Sequence, residues 1–238
     1  MKNIYNIANF NILIEYKYNY TFKFLEEFMV CDNNVTPDFS VSVGEKEMMA
    51  EFAKSEIKIM GVVENSAILR KLANILLSKY NTVLFHSSSI KYNGGAYLFT
   101  APSGTGKSTH TALIKKLLGD KVEYINDDKP FIRLIGNEFY VCGSPWRGKH
   151  HLGGNISAPL KAIVKVTRGK ENQVKKLDPI KSLNLLLEQA YSYNDVNATS
   201  ILLDIINLLL NKVEFYELYC NTDIEAAKVS FENILKGE

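Results

Sequence analysis

The feature that most constrains this chain is the eight-residue stretch Ala101-Pro102-Ser103-Gly104-Thr105-Gly106-Lys107-Ser108. It fits the Walker A pattern except that Ala101 replaces the first glycine, which asks only for an ordinary negative-φ backbone there. An apolar run, Ala96 to Thr100, precedes it, and an amphipathic helical pattern beginning at Lys107 follows. Strand, glycine turn and helix in that order require an α/β sheet whose edge presents the turn. Glycines let successive backbone N–H groups point inward, and the helix N-terminus adds partial positive charge, so the segment predicts a phosphate cradle. Ser103, Gly104, Thr105, Gly106, Lys107, Ser108 and Thr109 are the expected ATP contacts. Lys107 would reach the β- and γ-phosphates, and the Ser108 hydroxyl would meet Mg²⁺.

A metal-bound phosphate needs a carboxylate from a neighbouring strand. Asp127 and Asp128 follow the short apolar run VEYIN, one helix and one strand after the cradle. Either carboxylate can hold Mg²⁺ while the other accepts a proton from a nucleophile. His86, in FHSSSI, stands in a strand where an imidazole has no packing advantage, which makes it a candidate catalytic or phosphate-adjacent group. The stretch Ser144 to Asn155 (SPWRGKHHLGGN) gathers Trp146, Arg147, Lys149, His150 and His151 among glycines. Arg147, Lys149 and His150 are therefore candidate phosphate contacts on a mobile lid; the alternative is a solvated loop anchored by Trp146. His150 and His151 are adjacent and point apart, which argues against a shared metal.

The rest of the chain supplies a plausible frame. Residues 1–62 read as a β-rich N-terminal subregion, with strands in Asn11 to Tyr18 and Phe39 to Val43 and a short helix near Phe22 to Met29. Residues 63–238 read as the nucleotide-binding core of the same α/β domain. It opens on a helix over Ser66 to Tyr80. A hairpin of Thr82 to Tyr92 with Gly95 to Thr100 turns at Asn93-Gly94, and a second hairpin turns at Gly136-Asn137. Further strands are expected at Lys161 to Thr167 and Val213 to Tyr219, and helices at Ile180 to Tyr191, Ala198 to Leu210 and Ile224 to Leu235.

Composition excludes several function classes. Lys+Arg 28 against Asp+Glu 26 leaves a formal charge of +2, so nothing calls for nucleic acid or an anionic membrane. No stretch nears the roughly 20 apolar residues of a membrane span, and the first twenty residues do not read as a signal peptide, so a cytoplasmic location is expected. Cys31, Cys142 and Cys220 lack zinc-ligand or disulfide-framework spacing and are expected to be buried or half-buried thiols.

The strand with His86, then APSGTGKST, then NDD at Asn126 to Asp128, resembles the nucleotide-binding core shared by bacterial HPr kinase/phosphorylase and ATP-dependent phosphoenolpyruvate carboxykinase. The likeness spans Thr82 to Ser144, about a quarter of the chain, and SPW is similar to a feature of smaller HPr-kinase-like relatives. It implies a twisted mixed β-sheet with flanking helices rather than a purely parallel sheet. It also implies Asp127 as general base toward a hydroxyl acceptor, with His86 beside it and Asp128 on the metal, the two aspartates being interchangeable. A homo-oligomer follows from the same likeness. Thr109 stands where HPr kinase carries an acidic residue, and the C-terminal signature loop of that family is not matched. Both argue against HPr itself as acceptor, and the short length argues against decarboxylation. The expected activity is transfer of the γ-phosphoryl of ATP to a peptide, protein or small-molecule hydroxyl. The alternative is a catalytically silent ATP-binding sensor or interaction module.

Overall fold

Burial alternates along β1 (Lys2–Ile7) and β2 (Phe10–Glu15), so the hairpin they form has one apolar face. Ala8 and Asn9 join them with φ of 54° and 60°, the left-handed pair that a tight hairpin of matching twist requires. The computed structural model describes residues 1–32, 34–191 and 195–236. After α1 (Asn19–Leu25), β3 (Phe39–Val41) adds parallel to β2 and completes a three-stranded sheet. Then come α2 (Glu45–Lys54), unforeseen in the sequence, and α3 (Met60–Tyr80), which starts six residues before its apolar stripe predicts. Ile68, Leu72 and Leu76 of α3 pack against Tyr5, Ile12 and Phe28 of the N-terminal sheet region. Glu64, 1% exposed, accepts from Lys17 N, Tyr18 N and Thr21 Oγ1, so a buried carboxylate ties α1 to α3.

The second sheet begins with a correction. Thr82 to Tyr92 does not run as one strand. It divides into β4 (Thr82–Leu84) and β5 (Ser88–Tyr92), because the amides of Phe85, His86 and Ser87 leave the ladder for the carbonyls of Pro130, Gln189 and Asp128. β5 does form the expected hairpin with β6 (Gly95–Thr100) through the Asn93-Gly94 turn. The chain continues through α4 (Lys107–Leu118), β7 (Val122–Asn126), β8 (Phe131–Ile135) and β9 (Glu138–Cys142). Next are β10 (Ser157–Arg168), β11 (Gln173–Lys176), α5 (Pro179–Gln189) and α6 (Val196–Lys212). β12 (Glu214–Cys220) and α7 (Ile224–Ser230) close the chain, and Phe231–Leu235 continues α7 as a π-turn.

The strand order is β4-β8-β9-β10-β6-β5-β7, with β12 beside β10 and β11 beside β12. β6 and β12 run parallel to β10 while the other neighbours are antiparallel, so the sheet is mixed, as expected. Successive residues of β6 serve opposite faces. Ala96 and Leu98 meet Leu186 and Ile205 of α5 and α6, whereas Tyr97 and Phe99 meet Ile114 of α4 and Ala226 of α7. Burial on both faces explains why β6 reads as a continuous apolar run. Cys142 and Cys220 are buried, whereas Cys31 is exposed, against expectation. Among the described residues no helix is long and apolar enough to cross a membrane.

Candidate functional site

β6 ends at Thr100 and α4 begins at Lys107, so the glycine-rich segment is the turn between a buried strand and a helix N-terminus. Gly104 and Gly106 take φ of 76° and 125°, conformations that a side chain would strain. Ala101 is fully buried, which accounts for a methyl group in the place of the first glycine. Ser103, Gly104 and Thr109 are exposed, and Thr105, Gly106 and Ser108 are half-buried. Lys107 is 8% exposed and its Nζ donates to Ala101 O at 3.0 Å, folding the ammonium back over the turn. Burial lowers its pKa, and the nearby charge of Asp128 opposes that shift.

β7 reaches the same edge through β5 and ends in the turn Asn126-Asp127-Asp128. Asn126, fully buried, organises it. Its Oδ1 accepts from Asp128 N at 2.8 Å and Lys129 N at 2.6 Å, while Nδ2 donates to Ser144 O at 3.0 Å. Ser144 Oγ in turn donates to Lys129 O at 2.6 Å. Asp128 Oδ1 lies 3.3 Å from His86 Nε2, and Lys129 Nζ bonds Oδ2. Burial works to raise the Asp128 pKa, but the His86 hydrogen bond and the Lys129 charge outweigh it and hold the carboxyl down to about 2. An ionised Asp128 can only accept, so Nε2 carries the proton between them, and a neutral His86 keeps its Nδ1 lone pair. The His86 side chain is 38% exposed and its backbone O accepts from Thr100 Oγ1 at 2.8 Å, which ties it to the end of β6.

Asp127 faces elsewhere. It is 4% exposed, Oδ1 accepts from Gly148 N at 2.6 Å, and Oδ2 is buried with no partner. Asp127 is thus turned into the 143–155 loop, and of the two aspartates it is Asp128 that pairs with His86. That loop is also less open than a lid. Trp146 is buried, its ring 6.3 Å from Phe24, and Arg147 Nη1 bonds Gly153 O at 3.0 Å and Glu27 Oε2 at 2.8 Å. Arg147 is committed to anchoring the loop. Lys149 and His150 are exposed, and among the described residues neither side chain makes a hydrogen bond or ion pair.

Arg168 is a residue that the sequence did not flag. β10 runs parallel beside β6 with Lys165 level with Thr100, so Arg168 emerges next to the glycine turn. Its Nη2 donates to Gly104 O at 2.6 Å and its Nε to Thr105 O at 3.2 Å. A basic residue at a strand end was visible, but not that this strand neighbours β6. Asn126 and Ser144 were missed for a related reason, since their value lies in burial between segments distant in sequence.

Among the described residues no group of three or more His, Cys, Asp and Glu converges as a metal cage. Mg²⁺ in nucleotide sites is held by one or two carboxylates together with substrate phosphates, and an ionised Asp128 with the Ser108 hydroxyl fits that donor chemistry. Lys129 occupies Asp128 Oδ2 and a cation there would compete with it.

No protein-family model matches the chain, and no curated protein matches it. Among solved structures, the chain is similar to the HPr(Ser) kinase/phosphatase from Coxiella burnetii, with 11% identity and a TM-score of 0.31, over 54% of this chain and 88% of that one.

Proposed function

We propose that this chain is an ATP-dependent phosphotransferase on an HPr-kinase-like, carboxykinase-type core, moving the γ-phosphoryl group to a hydroxyl acceptor on a peptide, protein or small molecule. The observation that carries the reading is the His86 and Asp128 pair beside the buried Lys107 at the edge that bears the glycine turn. Backbone N–H groups of residues 103–109 bind the phosphates, and Lys107 leaves Ala101 O to neutralise them. Mg²⁺, met by Asp128 and Ser108, would add charge neutralisation on the β- and γ-phosphates. Asp128 orients His86, whose free Nδ1 takes the proton from the attacking hydroxyl. The base role moves from Asp127 to His86, and Asp128 keeps its expected place on the metal.

A second reading, an ATP-binding module that orders its loop for a partner, is favoured by one observation. The 143–155 loop is bonded into the NDD turn through Ser144 and Gly148 rather than standing free. Calorimetric titration with Mg²⁺-ATP, followed by phosphate release and peptide phosphorylation, separates the two. Lys107→Ala should abolish binding with the fold intact. His86→Ala should keep binding but lose roughly 100-fold or more in turnover, whereas Asp127→Asn should leave turnover within a few-fold. Wild-type binding without turnover favours the module, and absence of binding sinks both.

A further inference from the structure

We infer that the nucleoside end of the bound nucleotide lies in a cavity on the opposite flank of the glycine turn from Asp128, with Arg168 positioning the turn; this rests on the nucleotide-binding reading above. β6 delivers the turn, and its two neighbours divide the surroundings. On one side β5 and β7 bring His86 and Asp128 to the edge. On the other, β10 and β12 run parallel to β6 in register, Arg168 opposite Cys220, and end level with the turn. A phosphate chain laid along the turn with its terminal group toward Lys107 and Asp128 has its other end on the β10/β12 flank.

A cavity of about 360 Å³ opens there, within the roughly 300–1,000 Å³ of small-molecule sites. Thr109, His110, Val166, Arg168, Cys220 and Thr222 are among its lining residues. Val166 and Cys220 give an apolar wall suited to a ring, and the hydroxyls of Thr109 and Thr222 suit a ribose. Arg168 bonds the carbonyls of Gly104 and Thr105, which fixes the turn, and its planar guanidinium also lines the cavity, where it can stack on a base.

His110 adds an unsatisfied polar atom next to the cavity. His110 Nε2 and Ser230 Oγ share a hydrogen bond at 2.7 Å, and Ser230 Oγ also lies 3.1 Å from Ala226 O. Burial disfavours the charged imidazolium, and Nδ1 is buried with no partner in a residue that lines the cavity. Buried polar atoms are nearly always satisfied, so this one marks an unfilled hydrogen-bonding position beside the cavity.

The test is calorimetric titration of ATP and of inorganic tripolyphosphate, each with Mg²⁺, on wild type, Thr222→Trp and Arg168→Ala. Thr222 is exposed, so tryptophan there fills the cavity without disturbing the core. Thr222→Trp should weaken ATP by roughly tenfold or more and leave tripolyphosphate within about twofold. Arg168→Ala should weaken both ligands with the melting temperature unchanged. Unchanged ATP affinity in Thr222→Trp, or equal weakening of both ligands, overturns the cavity assignment, and no effect of Arg168→Ala on either ligand overturns its positioning role. Failure of wild type to bind either ligand is a different result, which overturns the phosphate-cradle reading itself.

Discussion

His110 stands in the first turns of α4 with the ring of Phe99 5.2 Å away, and burial pushes its pKa down to about 4. Folding therefore favours the neutral imidazole, while the unfolded chain takes up a proton near the ordinary histidine value of about 6.5. The unfolded state binds more protons between those values, so this contribution to stability is fully present above about pH 6.5 and is lost as pH falls toward 4. Between pH 7 and 4.5 it should cost about 2 kcal/mol. His110→Gln, which keeps a donor for Ser230, should flatten that part of the curve in urea denaturation at several pH values, and an unchanged slope would assign the titration elsewhere. The neighbouring aspartates show what a sequence leaves open at this scale. NDD announced a carboxylate site, but which of two adjacent side chains faces Lys107 depends on Asn126 gripping the following amides and Ser144 from across the sheet edge.

At the scale of elements, the 143–155 loop carries glycines that look like hinges in the sequence and act as close-approach residues in the fold. A Cβ on Gly143 would stand 1.8 Å from Gly154 O, and one on Gly153, at φ 111°, 2.4 Å from Ile125 O. The loop is thus laid flat on the end of β7, where an isolated bridge joins Asn126 to Gly153. Gly143→Ala should destabilise by about 3 kcal/mol, seen as a lowered melting temperature, and a neutral effect would mean that the loop lifts away readily. The glycine turn, the hairpins at Asn93-Gly94 and Gly136-Asn137 and most helices were legible because their signals are local: φ-permissive pairs, apolar stripes, a strand buried on both faces. The break at Phe85 to Ser87 was not legible, since its cause is three carbonyls contributed by segments up to about a hundred residues away.

Across the whole molecule, Trp146 joins the site's loop to the N-terminal sheet. It lies with Phe28, Leu72 and Phe131 in one apolar cluster, so the loop that holds Asp127 is seated on the N-terminal sheet and α3. Trp146→Ala should cost about 3 to 5 kcal/mol in urea denaturation. Trp146→Phe should cost much less, because the indole Nε1 is buried without a partner and its removal forfeits no hydrogen bond. Equal losses for both would show that Nε1 is satisfied after all. Strands in the N-terminal region could be read from alternation, but not their docking, which rests on contacts such as Arg133 Nη1 with Ala8 O at 2.8 Å.

The three amides at 85 to 87 report on two parts of the molecule at once. Phe85 and Ser87 are tethered to the carboxylate turn, through the carbonyls of Pro130 and Asp128, and His86 to the carbonyl of Gln189 at the end of α5. Their deuterium uptake, followed one residue at a time, would therefore distinguish undocking of α5, which exposes His86 alone, from opening of the carboxylate turn, which releases Phe85 and Ser87 and spares the histidine between them.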